Sequence, residues 1–592
     1  MKKVIYSSLI ALSLTAGITS CDDILDAPTK SSMDESVIFS TPALAEGAIA
    51  GVIQSFCETN SYRGRFLVHY GTNNDCEVTN SLRTTTGDAA TLANYMTTPG
   101  NGQMNTENNA YAKFYEGIER ANLAIRGIRT YGNVESNKEM AQILGEMLTL
   151  RAVVYSDLLK AWGDVPARFE PISTETVYVP RADRDVIYKQ LLADLEEAAE
   201  LVEWPNATAT TKSTERVNKA FVKGLRSRLA LAAGGYGQRM DGTIRKSTDP
   251  ELASDKMYEI VKKECLEVIN SGTCQLLGFE EAFKEFCGEK LTAGLETLWE
   301  IPFSDGRGRV IFDLGLQHTN TDKYTGQARG GNNGPNPALF YDYDKDDVRR
   351  DVTCIPYVWT DGIQVPGNLN KWCFGKYRYE WLPRVVTSTN DDGLNWLYMR
   401  YSDVILMAAE AINELDGPAA AAPYLKMVRE RAFPNSSAKV SSFMTAVTAS
   451  KEAFFNAIVD ERAFEFTGEK LRKGDLIRWN LLGSKIKESQ EKLKQLANRE
   501  GKYANLPSKI YYKNEGEEVI IYGLEFGDTD EKGVSLGYTS SKNWNLLSDS
   551  DAVPYYNCLA LRDPDLQQYW PIWQTFVDSS NGLITNDGYN QP

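Results

Sequence analysis

Apolar residues recur every three or four positions through most of this chain. In EMLTLRAVVYSDLLKAW, Met147, Leu150, Val154, Leu158 and Trp162 fall on one face of a helix. Ile187, Leu191, Leu195, Ala198 and Val202 make a second stripe, with acids on the opposite side. Tyr401, Ile405, Ala408, Ile412 and Leu415 make a third, and Asp403, Glu410 and Glu414 lie away from it. Further helices are predicted near 106–131, 216–235, 254–270, 419–432 and 451–466. Short polar or glycine-containing turns, such as YGNVESN and the Gly417-Pro418 step, join them in pairs. Helical hairpins of this kind bury their stripes against neighbouring hairpins. No strict repeat period accompanies them, so a regular solenoid is not predicted.

Three stretches break the helical pattern. Residues 59–105 are rich in Thr, Asn and Gly, residues 304–397 contain the turn-rich GGNNGPNP, and a third irregular zone covers roughly 500–560. Long irregular segments within a folded chain are usually functional. Inside the second, KYRYEW alternates Tyr377, Tyr379 and Trp381 with Arg378 and Glu380, and this period of two predicts a strand with an aromatic face.

The chain opens MKKVIYSSLIALSLTAGITSC. Two lysines, an uncharged apolar run and small residues before a cysteine are the layout of a secretory signal. The run is too short for a confident membrane span, and no later segment is long and apolar enough for one. The position of Cys21 reads as a lipobox, with residues 1–20 removed and Cys21 acylated as the mature N-terminus. Residues 21–36 would be the lipidated tether, and lipid at Cys21 would be the route to the membrane.

Composition narrows the chemistry. With 592 residues, 42% apolar and 10% aromatic, the chain is globular. A net charge of −16 argues against a nucleic-acid partner. The nine cysteines form no CxxC pair. Cys57 and Cys76 share their separation with Cys354 and Cys373, so either pair could bridge in an exported protein, while buried free thiols are expected for most of the set. Two histidines, His69 and His318, are too few for a histidine metal cluster and are expected as ordinary polar positions. No metal and no cofactor is expected.

Several segments, in order, resemble the SusD/RagB nutrient-uptake lipoproteins. They are CDDILDAPTKSSMDESVIFSTPALAEGAIAG, YEGIERANLAI, EMLTLRAVVYSDLLKAWGDVP, RADRDVIYKQLLADLEEA, RVNKAFVKGLRSRLALAAG, LFYDYDKDDVRRDVT, YMRYSDVILMAAEAINEL, YLKMVRERA, IVDERAFEFTGEKLRKGDLIRW and the closing YWPIW and NGLITNDGY. The resemblance implies an all-α fold, a scaffold of TPR-like helical hairpins with long irregular loops and small β elements on a ligand face. It implies an N-terminal helical region over 37–270 and a loop-rich C-terminal region over 271–592, together one structural unit. It further implies a lipoprotein on the outer face of the outer membrane, binding an oligosaccharide or another nutrient beside a SusC-like TonB-dependent transporter.

Two kinds of residue are candidates for chemistry. In ERAFEFTGEKLRKGDLIRW, Glu461 and Glu465 stand one turn apart, followed by Glu469, Arg472, Asp475 and Arg478. A glycosidase needs two carboxylates flanking a sugar with one pKa raised. Basic neighbours here keep the acids ionised, so a structural ion-pair network is expected and no catalysis. Sugars instead need flat rings for their C–H faces and polar groups for their hydroxyls. Trp359, Trp372, Trp381 and Tyr377 in the second irregular zone meet that need. Tyr62, Asn73, Asp75 and Tyr95 in the first, and Tyr324, Gln327 and Arg329 in a third loop, complete the expected ligand set. Trp396, just before a helical stripe, is expected in the core. A surface glycoside hydrolase and a protein-interaction scaffold are the alternatives to a glycan-binding protein.

Overall fold

Asparagine, aspartate and serine caps start several of the long helices, as their backbone-accepting side chains favour. In a computed structural model, which describes residues 34–589 apart from 59, 81–85, 304–306, 388–390 and 547–553, the scaffold comprises nine principal helices. These are α1 (Pro42–Ile53), α2 (Ala110–Tyr131), α3 (Lys138–Trp162), α4 (Arg184–Leu201), α5 (Lys219–Ala233), α6 (Ser254–Ser271), α7 (Tyr401–Asp416), α8 (Pro418–Ala432) and α9 (Lys451–Phe466). Asn109, Asn137, Asp183, Asn218 and Ser450 cap α2, α3, α4, α5 and α9. The signal segment, Cys21 and nearly all of the expected tether lie outside the described residues.

Helices α2 to α8 pack in sequence, each against the next, and α1 lies across α2 and α3. The array is continuous in space but not in the chain, because α6 packs on α7 although residues 272–400 intervene. That excursion leaves and returns through an antiparallel pair of strands, Thr297–Ile301 and Trp396–Arg400. Trp299, on the first strand, stacks on Phe221 of α5 at 4.7 Å. Trp396 is buried as expected, on the second strand, which runs directly into α7.

Two helices are buried more completely than a one-sided stripe predicts. From Met140 to Trp162 every residue of α3 except Lys160 is buried, and α7 is buried from Tyr401 to Asn413. Two of the acids off the α7 stripe therefore meet arginine, not water, while Glu414, beyond the buried span, pairs with Lys451. Asp403 pairs with Arg228 and Arg462, and Glu410 with Arg478. An unpaired carboxylate at either place would cost several kcal/mol.

The KYRYEW segment corrects the expectation of a strand. Tyr379–Trp381 form a 3₁₀ turn, in which the Trp381 and Leu382 amides donate to the Arg378 and Tyr379 carbonyls. The alternation of ring and charge there reflects two buried tyrosines beside a charged turn. Cys354 and Cys373 sit on paired strands, Cys354 opposite Phe374 and Cys373 opposite Ile355, and both are free buried thiols. Cys57 and Cys76 are also free.

Candidate functional site

Three loops of the excursion converge on one face: residues 318–329, 355–366 and 375–387. The first is bonded to the second through Thr319 N–H to Trp359 O (2.8 Å) and Trp359 N–H to Gln317 O (2.9 Å). It is bonded to the third through Gly326 N–H to Val386 O (2.7 Å) and Val386 N–H to Tyr324 O (3.2 Å). The middle loop is a hairpin, Tyr357–Thr360 with Ile363–Pro366, turned by Asp361 and Gly362 at φ of 52° and 78°. Two successive left-handed residues are what a tight hairpin turn requires, and Asp-Gly is the pair that accepts them.

Beneath this face His318 is fully buried. Its Nδ1 lies 2.5 Å from Asp322 Oδ2 and its Nε2 lies 3.4 Å from Glu380 Oε2. Trp359 Nε1 donates to the other Glu380 oxygen at 2.5 Å. Burial pushes the His318 pKa down, but Glu380 and Asp322 outweigh it and the net shift is upward. Burial likewise raises Glu380, and His318 with Arg378 brings it below its ordinary value. His318 and Trp359 stack at 5.9 Å, and Tyr324 stands edge-on to both. The charge network thus fixes the orientation of the rings above it.

Tyr324, Tyr357 and Trp381 are the half-buried rings of this face. The Lys323 ammonium lies 5.0 Å from the Tyr324 ring and pairs with Glu517 at 2.7 Å. Arg378 lies 4.6 Å from the Trp381 ring and reaches the Tyr357 hydroxyl at 3.4 Å. Arg329 is exposed and lies over Phe312. Rings flanked by cations, threonine hydroxyls and Asn320 suit a flat ligand carrying many hydroxyls.

Most of the other expected ligand residues are placed elsewhere, and their burial or pairing corrects the composition-based choice. Trp372 is 1% exposed, wedged between Phe340 and Trp544, with its indole N–H on Leu369 O. Tyr377 is buried and donates to Gly468 O. Tyr62 lies among Phe56, Phe66 and Phe114. Buried Tyr95 donates to the carbonyl of Asn73, whose side chain accepts from Thr79 N–H. Asp75 holds Arg472 through both oxygens, at 2.9 and 2.6 Å. Trp359 itself is 4% exposed, so it supports the face and offers little ring surface to solvent. Buried Gln327 lies beside the Tyr379 hydroxyl.

The charged motif is a closed network. Arg349 contacts Asp347, Glu461 and Glu465, while Arg400 contacts Glu296, Glu465 and Glu469. Burial alone would raise Glu465, but Arg431, Arg400 and Arg349 hold it well below the carboxylate range. It cannot donate a proton near neutrality. Burial raises Asp313 and Asp392 to about 7. Asp392 accepts from the amides of Phe312 and Leu394, so it fixes backbone at the root of the loop face. Among the described residues no group of three His, Cys, Asp or Glu side chains could hold a metal ion, and no helix is long and apolar enough to cross a membrane.

Two family models match the chain, one described as the SusD family over residues 368–589 and one described as starch-binding associating with outer membrane over 24–231. The chain belongs to the SusD family. Among curated relatives, the SusD-like protein P25 of Formosa agariphila is 23% identical over 81% of this chain and 90% of its own length. The SusD-like protein P2 of the same organism is 26% identical over 81% and 91%. A SusD homolog from Bacteroides thetaiotaomicron shares the fold with a TM-score of 0.66 at 18% identity, over 90% of this chain and 98% of that one. Surface glycan-binding protein A from the same organism, solved in complex with laminarihexaose, superposes with a TM-score of 0.59 at 17% identity, over 92% and 99%. The mostly helical fold with small β elements is therefore that of SusD proteins.

Within this SusD protein, His318 is no ordinary polar position but the buried centre of a network with Asp322 and Glu380, two residues absent from the expected ligand set. A lone histidine gives no signal by itself. The usable sign was His318 followed four residues later by Asp322 inside a turn-rich loop, a spacing that places an acid within reach of the ring.

Proposed function

We propose that this SusD protein binds a nutrient glycan, without catalysis, at the outer surface of the outer membrane and delivers it to a SusC-like TonB-dependent transporter. The observation that carries the binding reading is the loop face, where Tyr324, Tyr357 and Trp381 stand on a buried His318–Glu380–Asp322 support. Family membership, a family description that reads starch-binding associating with outer membrane, and a structural relative holding laminarihexaose support the ligand class. Of the expected ligand residues, Trp381, Tyr324 and Arg329 become the contact set, and Trp359 becomes their support. Acylated Cys21 would be the anchor. The acid pair weighed for a hydrolase, Glu461 and Glu465, is enclosed by arginines.

The test is binding on a glycan array and by calorimetry, using protein that begins after residue 21. Tyr324→Ala and Trp381→Ala should each weaken retention about tenfold, with unfolding free energy changed by less than about 1 kcal/mol. Release of reducing ends by the purified protein would overturn the non-catalytic reading. Unchanged affinity in the double variant would move the site elsewhere.

A further inference from the structure

We infer that a second saccharide subsite, separate from the loop face, lies in the groove beside Phe526; this rests on the glycan-binding reading above. Phe526 is 49% exposed, and among the described residues no tryptophan and no other phenylalanine is exposed. Its loop is braced. The Asp528 carboxylate accepts from Gly523 N–H at 3.0 Å and Glu525 N–H at 2.9 Å. Gly523 and Gly527 take φ of 107° and 92°, and a Cβ at Gly523 would stand 2.7 Å from the Lys509 carbonyl. Glu525 pairs with Arg350 at 2.9 Å, which ties the loop to the body. An exposed ring on a fixed loop is a stacking platform whose ordering cost is already met.

Phe526 leans on Tyr341 at 5.4 Å, and between this loop and Lys439 runs a groove of about 570 Å³ floored by Phe340, Tyr341 and Tyr343. That volume is within the range of small-ligand sites, roughly 300–1,000 Å³. The rim charges balance: Arg350 faces Glu525, and Lys439 faces Asp344 at 2.7 Å. Such a rim offers donors and acceptors to hydroxyls without a net field, so it favours a neutral glycan over a polyanion. The groove is linked to the loop face by one hairpin, Lys509–Glu515 with Glu518–Tyr522. Its tip carries Glu517, partner of Lys323, and its last strand, about 17 Å long, leads into the Phe526 loop. A long chain bound at both places gains avidity that a short one cannot.

The experiment is affinity electrophoresis in gels of soluble starch, laminarin or polygalacturonate, with maltohexaose and laminarihexaose as short competitors. Phe526→Ala should weaken retention on a neutral polymer about fivefold or more while leaving short-chain affinity within twofold, and Phe526→Trp should restore it. Tyr324→Ala should weaken both. Parent-like retention of Phe526→Ala with weakened Tyr324→Ala overturns the second subsite and leaves the loop face standing. Loss in Phe526→Ala but not in Tyr324→Ala keeps the groove and overturns the loop face. Retention of the parent on polygalacturonate alone overturns the neutral class, and retention on no polymer overturns both readings.

Discussion

The 59–105 segment turns its polar residues inward, whereas the 304–397 excursion carries its half-buried rings outward. In the first, Asp75 is spent on Arg472, Glu77 accepts from Gly468 N–H and contacts Lys470, and Asn80 bonds the Gly331 and Trp372 carbonyls. Every one of these contacts joins a distant part of the chain. In the second, the charges of Asp322, His318 and Glu380 are consumed by one another, and what remains free above them is ring surface. Both are irregular and polar, yet one is a strut and the other a platform. The difference lies in where the partners of these groups sit: across the molecule for Asp75, Glu77 and Asn80, within the loops themselves for Asp322, His318 and Glu380.

That contrast can be broken most forcefully at the ion network on which the strut rests. Arg400→Met leaves Glu465, Glu469 and Glu296 short of a shared partner, and should cost roughly 3–5 kcal/mol in chemical denaturation while the folded fraction still binds glycan. Asp75→Asn should cost about 2–3 kcal/mol by freeing one side of Arg472, again without loss of affinity per folded molecule. If Asp75→Asn instead weakens binding at unchanged stability, the strut belongs to the site after all.

The smallest effect is expected at His318 and has a defined sign. Its folded pKa is raised, so the stabilisation it gives is complete below its ordinary value near 6.5 and is lost as pH rises through the folded value. Glu380, lowered, gives stabilisation that is present above its ordinary value and lost as pH falls through the lowered one. Thermal midpoint and affinity should therefore decline in the parent as pH rises above about 6.5, and His318→Gln should flatten that part of the slope. An unchanged slope in His318→Gln would assign the decline to other groups, Asp313 and Asp392 among them.

Much of the scaffold was legible in the chain because amphipathic spacing and capping residues are local signals. The α3, α4 and α7 stripes fall where the spacing places them, and the loop-rich zones lie where the helical period fails. Burial of the acids in α7 was not legible, since Asp403 and Glu410 acquire their arginines from α5, α9 and the segment after it. The ligand face was legible only in part. Tyr324, Trp381 and Arg329 were chosen on composition and do reach the surface. Trp372, Tyr377 and Tyr62 satisfied the same rule, but aromatic residues beside turns are as often packed by remote segments, here Trp544, Gly468 and Phe114. Contacts between segments far apart in the chain leave no trace in local pattern.

The strand pair Thr297–Ile301 and Trp396–Arg400 has a further consequence for how such proteins diversify. By pinning the two ends of the excursion side by side, it makes everything between them a closed loop hung on an intact helical array. The entropy of closing such a loop grows only logarithmically, about 0.6 kcal/mol for each doubling of its length. Segments within it can be lengthened, trimmed or exchanged at little thermodynamic penalty to the array. Ligand preference can then drift quickly in a lineage while the framework that carries it changes slowly.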